Sequence, residues 1–379
     1  MIKAVFTISQ ATQYLSAIEA RHAYGLKPEE CAVLFFNKPY DTQIRQLEAV
    51  ADPEDWGVCR FIPYPDYWIP PGKGRTTWGK TKVLWSKLTS GYKFARTIDK
   101  FLKEECEKPL KLVATGNFLS RPHRHFLWAA DKTHGVDEIM LLDEGTSVPN
   151  YIVPLRFNPN DKDKLKRFDG RFGRWDIAAR ILSVVCGFKF HIPESVTFFT
   201  VYKDIKPPKT DKVVVNNFDV LSKKLTGFDA KDEVWFIGTC YHEFDFVKAK
   251  DYFSLLAQVR SHFSGHNLRY FPHRYESDET LKKVQELGFE VTQADMSIET
   301  LIVTRGQMPR AFASITSSAV DNISFMFQGQ FPITLFKPST GFFTTMVGVN
   351  SCYGALHGNI KNGLGAVDVV ELDFGNLLS

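Results

Sequence analysis

Short apolar runs alternate along the chain with stretches whose apolar positions recur every three or four residues. Runs of four to eight apolar residues bounded by polar ones predict buried strands, and the longer recurrence predicts amphipathic helices. The first part of the chain therefore predicts a strand over Lys3 to Ser9 and a helix over Thr12 to Tyr24, with Tyr14, Leu15 and Ile18 at helical spacing. A strand over Cys31 to Phe36, a helix through Ile44, Leu47 and Val50, and a strand over Gly57 to Ile62 come next. Beyond a loop rich in Pro, Gly and Trp, Tyr64 to Trp78, the pattern predicts a long helix from Lys80 to Cys106. A strand over Lys111 to Gly116, a helix over Pro122 to Lys132 and a strand over Asp137 to Leu142 complete this series.

From Asn158 to Arg180 the pattern gives way to a basic segment holding Lys162, Lys164, Lys166, Arg167, Arg171, Arg174 and Arg180. Val196 to Val201 reads as one more strand, and Lys206-Pro207-Pro208-Lys209 as a linker. A second alternating series follows, with strands at Val234 to Gly238, Leu268 to Phe271, Phe289 to Thr292 and Ala311 to Ile315, and a final one at Ile333 to Phe336. Helices over Phe246 to Phe263, Asp278 to Leu287, Ile298 to Arg305 and Ala319 to Phe327 separate them. Repeated strand-helix alternation argues for parallel, doubly wound sheets. The expected fold is α/β, with two Rossmann-like domains, 1–205 and 206–379, whose parallel sheets face a deep central cleft.

Composition narrows the function. With 379 residues, 44% hydrophobic and 24% charged, the chain is globular and long enough for two domains. Aromatics at 14%, including 32 Phe, suit large buried sheets. A net charge of +4 is too small to indicate nucleic-acid binding. The N-terminal apolar run is short and ends in Ser9-Gln10, unlike a signal peptide, and nothing approaches the ~20 apolar residues of a membrane span. Six scattered cysteines without CxxC spacing suit free thiols in a reducing compartment. These features predict a cytoplasmic protein, and the basic segment allows a weak peripheral contact with an anionic inner-membrane surface as an alternative to a solvated loop.

Candidate chemistry collects where strands end, which is where open α/β sheets bind ligands. Ile139-Met140-Leu141-Leu142 runs into Asp143-Glu144-Gly145, two adjacent carboxylates and a glycine. Adjacent acids raise each other's pKa, which suits one of them to proton transfer, although a solvated turn would use the same letters. Pro-His-Arg occurs twice. Pro122-His123-Arg124 is most simply the start of a surface helix. Pro272-His273-Arg274 comes directly off a strand, so His273 is placed to donate a proton or hydrogen bond to a leaving phosphate, with Arg274 adding charge. Thr316-Ser317-Ser318 precedes a helix, where hydroxyls and free N–H groups bind anions or simply cap the helix. Gln13, Asn117, Gly238 and Thr239 stand at other strand exits. The GxGxxG, HExxH and GxSxG patterns are missing, and Cys240 with His242 lacks further zinc-spaced partners.

In order, Asp143-Glu144-Gly145, His273 and Ser317-Ser318 resemble the D/E-D/E-G, His-Pro and Ser-Ser series of bacterial sialyltransferases and polysialyltransferases, above all the lipooligosaccharide sialyltransferase and capsule polysialyltransferase groups. Thr12-Gln13-Tyr14-Leu15-Ser16-Ala17-Ile18-Glu19-Ala20 is similar to the opening of those enzymes. Trp235-Phe236-Ile237-Gly238 is similar to the first strand of their donor half, and Phe289-Glu290-Val291, Ile298-Glu299 and Ser317-Ser318-Ala319-Val320 follow their order. One position departs: Arg274 follows His273 where the family usually has proline, and Pro272 precedes it.

The resemblance implies a GT-B fold and an inverting, metal-independent transfer of sialic acid from CMP-sialic acid to a glycan hydroxyl. The acceptor would be a galactoside or sialoside of a lipooligosaccharide or surface polysaccharide. It assigns the acceptor side and the base to the first domain, with Asp143 favoured and Glu144 the near alternative. It assigns CMP to the second domain, with Gly238, Thr239, Pro272, His273, Arg274, Ser317 and Ser318 as donor contacts. Gln13, Asn117 and Gly145 would touch acceptor or donor sugar. No cofactor and no metal are expected. Two alternatives stay open: another CMP-ulosonic acid donor such as Kdo, legionaminic or pseudaminic acid, motivated by Arg274, or a non-catalytic glycan-binding relative.

Overall fold

The structure, a computed structural model, describes residues 1–37, 41–63, 77–143, 148–158, 192–225, 230–273, 275–293, 296–362 and 367–375, and for 37, 41–43, 77–88, 150 and 362 the backbone alone. The chain forms two compact units, Met1–Asn216 and Asn217–Ser379.

The first unit alternates β1 (Ala4–Ile8), α1 (Ala11–Ala23), β2 (Cys31–Asn37), α2 (Asp41–Val50), β3 (Val58–Pro63), α3 (Thr77–Glu105), β4 (Leu112–Thr115), α4 (Arg121–Thr133) and β5 (Ile139–Leu142). It continues through α5 (Val153–Phe157), β6 (Thr197–Thr200) and β7 (Lys212–Val215). The seven strands lie in the order β3-β2-β1-β4-β5-β6-β7, and every pairing is parallel. β1, β4, β5 and β6 are buried at every position, as inner strands of a parallel sheet covered on both faces must be. The edge strands β3 and β7 are part-exposed; β3 is still legible over Gly57 to Ile62, whereas β7 reads weakly as sequence.

That weakness explains one difference. Lys206-Pro207-Pro208-Lys209, expected as an interdomain linker, connects β6 to β7 within the first unit. The units therefore meet at Asn216/Asn217 and not at 205/206. β7 carries only Lys212-Val213-Val214-Val215 and follows two prolines, so nothing local separates it from a loop. Its place is set by pairing with β6, Thr197 against Lys212 through Thr200 against Val215. Arg156 fastens the same corner with two bonds to Asp211, at 2.8 and 2.7 Å, one to the Pro193 carbonyl at 2.6 Å and one to the Glu194 carbonyl at 3.0 Å.

The second unit runs α6 (Asp219–Leu225), β8 (Ala230–Ile237), α7 (Ala249–His262), β9 (Asn267–Phe271), α8 (Asp278–Glu286), β10 (Glu290–Val291), α9 (Ile298–Arg305), β11 (Met308–Ser314), α10 (Ser318–Met326), β12 (Ile333–Pro338), α11 (Met346–Asn362) and β13 (Val367–Leu372). Its strand order is β10-β9-β8-β11-β12-β13, again parallel throughout. α7 lays Tyr252, Leu255, Leu256 and Val259 on Val234, Phe236 and Phe336. Truncating a side chain such as Phe236 in such a core costs about 3–5 kcal/mol. α8 and α9 are capped by Ser277 and Ser297, and α9 ends on Gly306 at φ +59, a left-handed cap that glycine takes without strain.

The strand at Ile333 is not the last one. α11 and β13 follow, and β13 reads Val-Asp-Val-Val-Glu-Leu with every residue at least partly exposed, an edge pattern without a continuous apolar run. Each unit is nonetheless the Rossmann-like, doubly wound α/β domain expected of both halves of a GT-B chain. Among the described residues no helix is long and apolar enough to cross a membrane. The expected loop at 64–76 and almost all of the basic segment at 158–180 lie outside the described residues.

Candidate active site

Each sheet reverses its strand order once, at β1/β4 in the first unit and at β8/β11 in the second. The crevice outside the carboxyl ends of strands at such a switch point is the default ligand site of an open α/β sheet. Gln13 and Asn117 stand at the first of these points, and Gly238, Thr239, Ser317 and Ser318 at the second.

At β1/β4, Gln13 is wholly buried. Its Oε1 accepts from the N–H groups of Ser9 at 2.8 Å and Gln10 at 3.2 Å, closing the start of α1. Its Nε2 is buried without a hydrogen-bond partner. Gly116 is pressed against it, because a Cβ there would stand 2.7 Å from the Gln13 Cδ. Asn117 is half-buried beside it.

The helix beginning Pro122-His123-Arg124, expected at the surface, has a buried first turn. The His123 ring is enclosed by three hydroxyls, with Nδ1 3.0 Å from both Thr7 and Thr115 and Nε2 2.8 Å from Ser9. Burial lowers its pKa to about 3, so the ring is neutral and braces β1 against β4. Proline at a first turn marks only where a helix begins, and tertiary packing decides which side is covered.

Asp143 is half-buried at the exit of β5. Its Oδ1 accepts from the Thr200 hydroxyl at 2.5 Å and its Oδ2 from the Val201 N–H at 2.8 Å. Leu142 pairs with Phe199 in the β5/β6 register, so Asp143 leaves its strand opposite Thr200 and turns onto it. Burial raises the carboxyl to about 7, and the two hydrogen bonds oppose that rise without cancelling it. A carboxyl that titrates near neutrality is suited to accept a proton. Glu144 and Gly145 lie outside the described residues.

In the second unit, Gly238 and Thr239 are buried at the end of β8, and the Thr239 Oγ1 has no partner. His273 and Pro272 are half-buried just beyond β9, while Arg274 lies outside the described residues. The His273 Nε2 is 3.9 Å from the Cys240 Sγ, and Nδ1 accepts weakly from the Tyr275 N–H at 3.4 Å. In the neutral ring that bond places the proton on Nε2. Tyr241 joins the loops after β8 and β11 through Thr316, hydroxyl to hydroxyl at 2.7 Å. Ser317 caps α10, its Oγ accepting from the Ala319 N–H at 3.2 Å, so helix capping is its structural work. The hydroxyl proton remains available to a ligand. Ser318, the first residue of α10, is exposed.

Several supports carry no sequence signal. Thr200 and Val201 hold Asp143 from a neighbouring strand. Asn359 of α11 clamps the Ser317 turn, its Nδ2 donating to the Ser317 carbonyl at 2.9 Å and to Asp321 at 2.7 Å, while the Ser317 N–H donates to its Oδ1 at 3.2 Å. Glu276 collects two phenols and the His273 N–H. Among the described residues no three His, Cys, Asp or Glu side chains are grouped to hold a metal ion.

No protein-family model and no curated protein sequence matches the chain. Similar solved structures include a 2,6-sialyltransferase of Vibrionaceae Photobacterium sp. JT-ISH-224, in a complex with the donor product CMP and the acceptor substrate lactose. It is 14% identical over 96% of this chain and 78% of that one, with a TM-score of 0.47. MurG of Acinetobacter baumannii is 12% identical over 97% of this chain and 86% of its own, with a TM-score of 0.39. A UDP-N-acetylglucosamine 2-epimerase is 11% identical over 98% of this chain and 84% of its own, with a TM-score of 0.47. At such identities and scores none of them assigns a reaction, and the residues themselves have to carry it.

Proposed function

We propose that the chain is a glycosyltransferase that moves sialic acid from CMP-sialic acid to a hydroxyl of a surface-glycan acceptor, with inversion and without a metal. The reading is carried by Asp143, a strand-end carboxyl at a sheet's ligand-binding edge whose burial brings it to about 7. In the proposed step Asp143 takes the acceptor hydroxyl's proton as that oxygen bonds to the anomeric carbon. The bond from the same carbon to the CMP phosphate oxygen breaks, and its electron pair leaves with CMP. The departing charge is the second unit's task. His273 Nε2–H, the Ser317 hydroxyl and the start of α10 supply donors at one carboxyl edge, as an anion site requires. Glu144, Gly145 and Arg274 keep their family-derived roles as part of the same proposal, as do Gln13, Asn117 and Pro272.

The deciding experiment measures CMP release and glycan product from CMP-sialic acid with a galactoside, for wild type, Asp143→Asn and Glu144→Gln. Loss of the base lowers turnover by about 10²–10⁴-fold. Wild-type rates in both variants would remove the acidic pair from the mechanism. Release of CMP from a different CMP-ulosonic acid, but not from CMP-sialic acid, would keep the chemistry and change the donor.

A further inference from the structure

Three segments of the second unit converge on one carboxylate that no motif marks. After β9 the chain turns through His273 to Glu276, and that turn is closed twice by the same two residues. The Glu276 N–H donates to the His273 carbonyl at 2.9 Å, and the His273 N–H donates to Glu276 Oε2 at 2.6 Å. The other oxygen, Oε1, accepts from the Tyr270 hydroxyl of β9 at 2.6 Å and from the Tyr252 hydroxyl of α7 at 3.3 Å. These phenols are 2.7 Å apart, and Tyr252 also reaches the Thr239 carbonyl at 3.1 Å. Gly238 passes over the cluster with no room for a side chain: a Cβ there would lie 2.5 Å from the Tyr270 hydroxyl and 2.7 Å from Glu276 Oε2. Burial raises the Glu276 carboxyl to about 7, so the fold bears the cost of a desolvated acid at this point.

Two neutral phenols and one backbone N–H are an expensive way to close a loop, since buried polar networks stabilise only when every member is satisfied. Their combined effect is geometric. The anchor ties the His273 backbone to β8, to β9 and to α7 together, so the imidazole leaves the sheet from a fixed point. We infer that Glu276 is a positioning residue that sets His273 for its contact with the leaving phosphate, acting through the His273 main chain and not on the substrate. The inference rests on the donor-site reading above.

A double-mutant cycle tests it. Glu276→Leu removes the acceptor, and Glu276→Gln keeps a carbonyl for the His273 N–H and an amide for the phenols. Displacement of a group from its reacting geometry costs about 10²-fold in rate, so Glu276→Leu lowers kcat by about that factor while the affinity for CMP changes far less. Glu276→Gln restores most of the rate. In a His273→Ala background Glu276→Leu has no further effect, as expected of residues that act as a unit. An equal loss in both backgrounds overturns the inference.

The imidazole resonance of His273, followed by NMR through a pH titration and identified by its loss in His273→Ala, decides the same point without turnover. Its midpoint and shift move in Glu276→Leu and return in Glu276→Gln. If the wild type releases CMP from no CMP-sugar, the proposed function fails on its own, and this titration still judges the coupling. An unmoved resonance overturns it. Should Glu276→Leu not fold, Tyr270→Phe, which keeps the carboxylate and removes its 2.6 Å phenol, takes its place in the cycle and in the titration with the same criteria.

Discussion

Asp143 and Thr200 occupy neighbouring strand exits, and the hydroxyl of the second donates to the carboxylate of the first at 2.5 Å. The bond favours the ionised acid, against burial that favours the neutral one. On the proposed mechanism turnover rises with pH through about 7 as Asp143 ionises. Thr200→Val removes the hydroxyl at nearly constant volume and pushes the carboxyl higher still. The acid limb of kcat/KM therefore moves to higher pH, while the alkaline plateau changes little. A pH–rate profile of both proteins measures the displacement, and a shift to lower pH would contradict the assignment.

The same carboxyl affects folding, and the sign follows from its direction. Asp143 is raised from 3.8 to about 7 in the fold. Between those values the native state keeps a proton that the unfolded chain has lost, so this group's contribution to stability declines as pH rises through the window. Urea unfolding at about pH 5 and about pH 8 will show a larger loss on alkalinisation for wild type than for Asp143→Asn.

His123 works in the opposite sense. Its pKa falls from 6.5 to about 3 on folding, so its contribution is present above 6.5 and is lost as pH drops toward 3. His123→Gln keeps a donor and an acceptor for Thr7, Thr115 and Ser9 but cannot titrate. Its unfolding free energy should fall less steeply on acidification, by up to about 1.4 kcal/mol per pH unit. Denaturant titrations across that range measure the slope.

Gly116 lies against the Gln13 side chain at the first switch point, with no room for a Cβ. Gly116→Ala places a methyl 2.7–2.8 Å from three Gln13 side-chain atoms, and overpacking of this kind costs about 1–3 kcal/mol. The midpoint of chemical unfolding reads the cost. Gly116→Ala with Gln13→Ala should recover part of it, because the obstructing side chain is gone. Failure to recover would place the strain elsewhere.

Asn359 makes three hydrogen bonds that hold the turn before α10. Asn359→Leu removes all three bonds, so the Ser317 N–H loses this acceptor and the Ser317 carbonyl and Asp321 each lose one donor, and a buried polar group left unsatisfied costs about 1–3 kcal/mol. A lower melting temperature and weaker CMP binding are expected together. Calorimetry measures both.

Much of this architecture was written into local pattern. The inner strands β1, β4, β5, β6 and β8 are apolar runs because both faces of a parallel sheet are covered. Periodicity therefore placed them, along with most of the helices between them and the strand-exit positions of Asp143, His273 and Ser317. Edge strands β7 and β13 escaped, because a half-exposed strand is selected by its neighbour's hydrogen bonds and not by its own apolar content.

The partners of the functional groups escaped for a related reason. Thr200 lies far along the chain from Asp143, Asn359 from Ser317, and Tyr252 from Glu276, and no local spacing encodes such pairs. Sequence alone determined which residue types stand at the ends of which strands, since that follows from a periodicity of two or of three to four. Only the tertiary structure decided that Asp143 titrates near neutrality, that His123 is buried and that Glu276 holds His273. Burial and hydrogen bonding belong to the packed chain, and the pKa of a side chain is set by what surrounds it.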